Sequence, residues 1–153
     1  MIYKIPGVGD LELKTIILDL NGTLTVGGKL VEGVHERRKK LKGAGFRLVL
    51  FTGNTRGDAN EIADELSIEW LQAKGAADKK KLAEDLDPNT CASIGNGLID
   101  LELMRTVKLR ILTLQAEGIH VKTLFESDVI VPGINDALDL FIDKDRLIAT
   151  LRR

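Results

Sequence analysis

Short apolar runs rich in β-branched residues alternate along the chain with longer stretches in which apolar residues recur at helical spacing. The short runs predict buried strands, and their alternation with helices is typical of an α/β fold with a doubly wound parallel sheet. Predicted strands cover residues 16–20, 47–52, 92–95, 109–113 and 128–131. Predicted helices cover residues 34–42, 58–66, 78–86, 99–107 and 134–151, the last broken near Asp143.

Composition predicts one globular domain over residues 1–153, since 153 residues with 44% hydrophobic and 29% charged side chains suffice for one core. The net charge of −1 and the pI of about 6.1 disfavour binding to nucleic acid or to an anionic membrane. The single Cys91 excludes an internal disulfide, and no apolar stretch approaches the roughly 20 residues of a membrane span. The start of the chain lacks the apolar segment of a signal peptide. We therefore expect a cytoplasmic protein.

One carboxylate, Asp19, stands at the end of the first apolar run and is followed at once by a Gly/Thr turn. In open α/β sheets, ligands bind where the strands end at their carboxyl edge, so this position predicts an aspartate that faces a cleft. The alternative is that Asn21-Gly22 is simply a hairpin turn, because this dipeptide between apolar runs is a strong hairpin signal. The segment alone does not decide between the two interpretations.

Three later segments, together with the first, resemble in order the four motifs of the haloacid dehalogenase superfamily of Mg²⁺-dependent phosphotransferases. The four segments are Asp19-Leu20-Asn21-Gly22-Thr23, Phe51-Thr52-Gly53, the lysine helix that begins Asp78-Lys79, and Gly95-Asn96-Gly97-Leu98-Ile99-Asp100. Within that superfamily, the chain is most similar to small soluble proteins that are like the phosphorylation domain of P-type ATPases. The resemblance implies a three-layer Rossmann-like fold.

The resemblance also implies a role for each matching residue. Asp19 would be the nucleophile that forms an aspartyl phosphate, Thr52 and Gly53 would bind the phosphoryl oxygens, and Lys79 would supply a fixed cation. The Mg²⁺ ligands would be Asp19, the backbone carbonyl of Asn21, Asp100 and the Asn96 position. Lys80 and Lys74 are the alternatives to Lys79, because a run of three lysines is usually a solvated surface.

Two departures from the motifs concern acidic groups. Asn21 replaces the aspartate that serves as general acid and base, and Asn96 replaces a metal-binding aspartate. Losing general acid-base help costs about 10²- to 10⁴-fold in rate, so we expect low turnover. The alternative is a non-enzymatic or barely active phospho-acceptor or binding module with the same fold.

Neither position where superfamily members insert a cap domain has room for one in this chain. Residues 25–46 hold a Gly27-Gly28 hairpin and one helix, and residues 52–79 hold one helix and one short strand. We therefore expect no cap domain and an open cleft. A phosphorylated small molecule or protein is the expected substrate, and either a large substrate or a second copy in a homo-oligomer would exclude water from the cleft.

Overall fold

The computed structural model describes all 153 residues, which fold around a six-stranded parallel sheet. The strands are β1 (Ile2–Ile5), β2 (Gly9–Glu12), β3 (Thr15–Leu18), β4 (Thr25–Val26), β5 (Lys29–Leu30), β6 (Arg47–Thr52), β7 (Glu69–Gln72), β8 (Cys91–Gly95), β9 (Leu109–Thr113) and β10 (Val129–Val131). The helices are α1 (Val34–Gly43), α2 (Ala59–Leu66), α3 (Ala76–Glu84), α4 (Leu101–Thr106), α5 (Val121–Glu126), α6 (Ile134–Ile142) and α7 (Lys144–Leu151). Two short 3₁₀ turns cover Pro88–Thr90 and Leu98–Asp100.

The main sheet has the strand order β10-β9-β8-β3-β6-β7, with all five pairings parallel. Successive side chains of β3 enter opposite faces of the sheet: Ile16 and Leu18 join a core of 29 buried residues, whereas Ile17 joins a core of seven. Helices α1, α2, α6 and α7 cover the larger core, and α3 and α4 cover the smaller one. The predicted three-layer, doubly wound parallel sheet is thus confirmed.

Each predicted strand is present within one or two residues, because a fully buried strand is a continuous apolar run. The break near Asp143 is also confirmed: α6 ends there, and the Asp143 carboxylate accepts a hydrogen bond from the backbone N–H of Asp145 to begin α7. Helix α3 begins at Ala76, two residues before the predicted start. Helix α5 was not predicted.

Both positions for a cap hold only small elements. The antiparallel pair β4–β5, with Gly27 and Gly28 at positive φ in its turn, lies between β3 and α1. Only α2 and β7 lie between β6 and α3. The carboxyl edge of the sheet therefore carries no cap domain. No helix has the length and apolar character that crossing a bilayer requires.

The N-terminal hairpin β1–β2 lies at the other end of the sheet, where it leads into the start of β3. The buried Tyr3 hydroxyl donates to the Phe141 carbonyl oxygen over 3.2 Å. The backbone N–H of Arg153 donates to the Pro6 carbonyl oxygen over 3.1 Å, which joins the end of the chain to the hairpin turn. This region is remote from the carboxyl edge.

Candidate active site

Three neighbouring strands end beside one cleft at the carboxyl edge of the sheet. Asp19 directly follows β3, Thr52 ends β6, and Gly95 ends β8. The cleft has a cavity of about 260 Å³, and Ile99 is the only hydrophobic residue among the ten that line it. Its lining residues are Asp19, Asn21, Thr52, Gly53, Thr55, Lys74, Lys79, Asn96, Gly97 and Ile99. The strand order explains this convergence, because parallel strands present their carboxyl ends at a single edge.

Lys79 joins two carboxylates at the floor of this cleft. Its Nζ lies 2.6 Å from Asp19 Oδ1 and 2.7 Å from Asp100 Oδ1, and its side chain is only 1% exposed. Lys79 is on α3, one turn before the buried Ala83, so the packing of that helix directs it inward. Lys74 also lines the cavity but is exposed, and Lys80 is exposed on α3.

The buried triad of Asp19, Lys79 and Asp100 carries a net charge of −1 when all three groups are ionised. The pKa of Asp19 is raised to about 6, because burial and the charge of Asp100 raise it by more than Lys79 lowers it. Burial alone would lower the pKa of Lys79, but the two carboxylates outweigh it and hold that pKa above its ordinary value. Lys79 therefore stays protonated at neutral pH, and the site has a surplus of negative charge.

Asp100 is fixed by the turn that precedes it. Its Oδ2 accepts hydrogen bonds from the backbone N–H groups of Asn96 (3.0 Å) and Gly97 (3.1 Å), so the carboxylate folds back onto the Leu98–Asp100 turn. Gly95 makes this approach possible, since a Cβ there would lie 2.5 Å from Asp100 Oδ2. Asp100 therefore presents Oδ1 to Lys79 in one orientation.

The loop after β6 positions Thr52 and Gly53 beside Asp19. Thr52 Oγ1 accepts from the backbone N–H of Asn54 over 3.1 Å, and Asn54 Oδ1 in turn accepts from the backbone N–H of Ala59 at the start of α2. Asn54 adopts a positive φ of 57°, a conformation that asparagine tolerates better than most residues. The loop thus holds a hydroxyl and a backbone turn at the cavity wall.

Asn21 lies at the mouth of the cleft and contacts residues that the sequence patterns did not identify. Its Oδ1 accepts from Arg56 Nε over 3.2 Å, and its Nδ2 lies 3.5 Å from Thr55 Oγ1. Arg56 Nη2 also lies 3.4 Å from Glu117 Oε1, on the loop after β9. The residues in each of these three contacts are 34 to 61 positions apart along the chain, so no local pattern connects them.

Asn96 connects two loops in addition to lining the cavity. Its Nδ2 donates to the Gly118 carbonyl oxygen over 2.9 Å, and its Oδ1 accepts from Thr23 Oγ1 over 3.4 Å. Its backbone carbonyl accepts from the N–H of His120. Asn96 therefore ties the first motif, the turn after β8 and the loop after β9 together, with one Oδ1 lone pair left for another partner.

No protein-family model matches the chain. The uncharacterized protein MJ0073 from Methanocaldococcus jannaschii is 42% identical to it over 78 residues, which are 48% of this chain and 84% of that protein. The chain belongs to the same family as this archaeal protein.

Solved structures with similar architecture come from the haloacid dehalogenase superfamily. One, described as a superfamily hydrolase of subfamily III A from Legionella pneumophila, is 19% identical, covers 91% of this chain and 88% of its own, and gives a TM-score of 0.70. The 3-deoxy-D-manno-octulosonate 8-phosphate phosphatase from Moraxella catarrhalis was solved with magnesium, phosphate and KDO. It is 21% identical, the match covers 92% of this chain and 94% of that one, and the TM-score is 0.69. The cobalt-bound phosphatase YrbI from Haemophilus influenzae is 15% identical, the match covers 90% of this chain and 89% of that one, and the TM-score is 0.71. The chain has the haloacid dehalogenase fold.

The oxygen atoms of this site fit a hard cation such as Mg²⁺. Asp19 and Asp100 supply two carboxylates, the backbone carbonyl of Asn21 accepts no hydrogen bond from the protein, and Asn96 Oδ1 has a lone pair free. No group of three His, Cys, Asp or Glu side chains forms a metal cluster anywhere in the chain. Because Mg²⁺ usually keeps several waters, two carboxylates and the surplus negative charge are an adequate set.

Replacing Lys79 by Met tests whether this lysine holds the two carboxylates together. The change leaves Asp19 and Asp100 buried without their counterion, so we expect the free energy of unfolding to fall by about 3–5 kcal/mol. Urea denaturation without added metal measures it. The matched control is Lys80→Met, on the exposed side of α3, which should change stability by no more than about 0.5 kcal/mol. Equal midpoints for the two variants would contradict the ion-pair account.

Proposed function

We propose that the protein is a Mg²⁺-dependent phosphohydrolase or phosphotransferase that forms an aspartyl phosphate on Asp19. The observation that carries this proposal is the buried triad, in which Asp19 lies 2.6 Å from the fixed cation of Lys79, next to Thr52 at the carboxyl edge. A carboxylate with this neighbourhood can attack phosphorus, while Lys79 neutralises charge on the phosphoryl oxygens. The phosphatase activities of the structural relatives agree with this assignment.

Each residue of the site has a defined task in this proposal. An Asp19 carboxylate oxygen forms the new bond to phosphorus as the bond to the leaving oxygen breaks. The Thr52 hydroxyl and the backbone N–H of Gly53 hydrogen-bond the phosphoryl oxygens, and Asp100 holds Lys79 in place. Asp19, Asp100 and the oxygens of Asn21 and Asn96 would hold Mg²⁺, which would supply further neutralisation of phosphoryl charge.

A second candidate function follows from Asn21. Asparagine cannot exchange a proton at neutral pH, so water that attacks the phosphorylated Asp19 receives no help from this position. The phosphoenzyme would then decay slowly, and the protein would act mainly as a phospho-acceptor or binding module. Slow decay is also what the resemblance to the phosphorylation domain of P-type ATPases implies.

The proposal extends to the class of substrate, to a second copy of the chain over the cleft and to the location of the protein in the cell. We infer a phosphorylated small molecule or protein as substrate, because the cavity of about 260 Å³ is smaller than a usual ligand pocket and opens to solvent. A second copy of the chain could cover this open face. A cytoplasmic location fits the single cysteine, Cys91, which is free and buried.

The experiment that tests the proposal is phosphate release from a panel of phosphorylated compounds, with Mg²⁺ and with EDTA. We expect turnover only with Mg²⁺. Because the pKa of Asp19 is raised to about 6, protons should compete with the metal, and the Mg²⁺ concentration for half-maximal release should rise about tenfold per pH unit below about pH 6. Release that does not depend on metal, or a half-maximal concentration that does not change with pH, would contradict the assignment.

A further inference from the structure

Arg56 places a cation at the mouth of the cleft, next to Asn21. It lies on the loop between β6 and α2, and its Nε donates to Asn21 Oδ1 over 3.2 Å. Nη2 pairs with Glu117 Oε1 at 3.4 Å, and Nη1 has no hydrogen-bond partner. The turn of the β4–β5 hairpin lies alongside, since a Cβ on Gly28 would be 3.6 Å from Nη1. Four segments of the chain thus meet around one guanidinium.

The position of Arg56 relative to Asp19 indicates which part of a substrate it would meet. Asp19 and Lys79 form the buried floor of the cleft, so an attacking Asp19 would drive the leaving group outward to the mouth. The residue two positions after the nucleophile is the one that, by the resemblance stated above, faces the leaving oxygen. In this chain that residue is Asn21, which cannot donate a proton, and Arg56 is bound to its side chain.

The guanidinium is available to a ligand. Arg56 and Glu117 are 46% and 26% exposed, and an ion pair so open to water adds little stability, so a competing anion can replace or share it. Arg56 reaches the cavity through Asn21, which lines it, and the exposed Lys74, whose Nζ has no partner, is a second cation on the cavity wall. The floor of the site has a surplus of negative charge, whereas its mouth has a surplus of positive charge.

We propose that Arg56 binds the leaving group of the substrate and stabilises its negative charge, which replaces the proton that Asn21 cannot supply. The inference rests on phosphoryl transfer to Asp19. In this step the bond from Asp19 to phosphorus forms, the bond from phosphorus to the leaving oxygen breaks, and its electron pair stays on that oxygen, which departs without a proton. The substrates that suit this site are therefore those whose leaving group is a stable anion: an acyl phosphate, which releases a carboxylate, or a phosphoanhydride, which releases a phosphate.

The test compares Arg56→Gln and Arg56→Lys with the wild-type protein on four phosphate compounds. Phenyl phosphate and 4-nitrophenyl phosphate both release a phenolate, but they differ in how well the leaving oxygen carries charge. Acetyl phosphate and pyrophosphate distinguish a carboxylate from a phosphate as the departing anion. The matched control is Arg152→Gln, an exposed arginine next to the N-terminal hairpin, far from the cleft.

We expect Arg56→Gln to lower kcat/KM for acetyl phosphate or pyrophosphate by about ten- to a hundredfold. The loss for phenyl phosphate should exceed that for 4-nitrophenyl phosphate, because the poorer leaving group depends more on the cation. Arg56→Lys should restore part of the activity, and Arg152→Gln should match wild type.

The contrary results separate this inference from the proposed function. If phosphate release depends on Asp19 but Arg56→Gln behaves like Arg152→Gln, the role of Arg56 is wrong and the proposed function stands. Equal losses for the two aryl phosphates would show that Arg56 only supports the loop, which also overturns the inference. If no compound is turned over in an Asp19-dependent manner, the proposed function and the role of Arg56 are both wrong.

Discussion

Phosphate release is expected to fall by at least about 10³-fold when Asp19 is replaced by Asn, because the attacking carboxylate is lost while the size of the side chain is kept. No phosphoenzyme should accumulate. The measurement is phosphate release with Mg²⁺, combined with acid quenching and detection of protein-bound phosphate. The matched control is Asp145→Asn, an exposed position at the start of α7, which should retain wild-type activity.

The loss of activity in Asp19→Asn should not come from unfolding. Lys79 keeps Asp100 as its counterion at 2.7 Å, and the triad no longer carries a surplus charge. Because the pKa of Asp19 is raised from 3.8 to about 6, its ionised form opposes folding above about pH 6, and this cost disappears as the pH falls toward 3.8. At neutral pH the variant should therefore be at least as stable as wild type, and its advantage should shrink in acid. Retained turnover in a stable variant would rule out Asp19 as the nucleophile.

The second large effect is a gain, expected when Asn21 is replaced by Asp. A carboxylate at this position can take a proton from the attacking water, so decay of the phosphoenzyme should accelerate by about 10²- to 10⁴-fold. Arg56 Nε, 3.2 Å from Asn21 Oδ1, would pair with the new carboxylate and keep it ionised. An ionised group serves as a base but not as an acid, so formation of the phosphoenzyme should change much less than its decay.

A single-turnover experiment separates these two steps for Asn21→Asp. The protein is phosphorylated, substrate is removed, and the remaining protein-bound phosphate is followed with time. The matched control is Asn89→Asp, an exposed position on the turn before β8, which should decay like wild type. If Asn21→Asp decays at the wild-type rate, the argument that Asn21 limits hydrolysis is wrong.

The residues that follow strand ends were predictable because their positions depend on local sequence. An apolar run of four to six residues predicts where β3, β6 and β8 end, and parallel strands must present those ends at one edge. The convergence of Asp19, Thr52 and Gly95 at one cleft therefore followed from the pattern of apolar positions. Their roles in catalysis stay predictions until the variants are measured.

Helix α5 was missed because it has no core-facing apolar stripe. Val121 and Phe125 lie one turn apart, yet both are exposed, Phe125 at 81%, and the only buried residue of the helix is Thr123. The start of α3 was misplaced for a related reason: Gly75, which precedes the helix, caps it without a side chain, so the sequence carries no capping signal there.

By itself, the sequence determined the α/β architecture, the strand that carries Asp19 and the absence of a side chain that could act as acid at position 21. Only the tertiary structure decided which of several lysines meets Asp19, because Lys79 and Lys80 lie about 100° apart on α3 and packing alone turns Lys79 inward. It also decided that Arg56 reaches Asn21 and that Asn96 ties three segments together. The spacing of apolar residues indicates which face of a helix or strand is buried. Polar contacts between loops that are far apart in the chain follow no such spacing, so the sequence alone does not predict them.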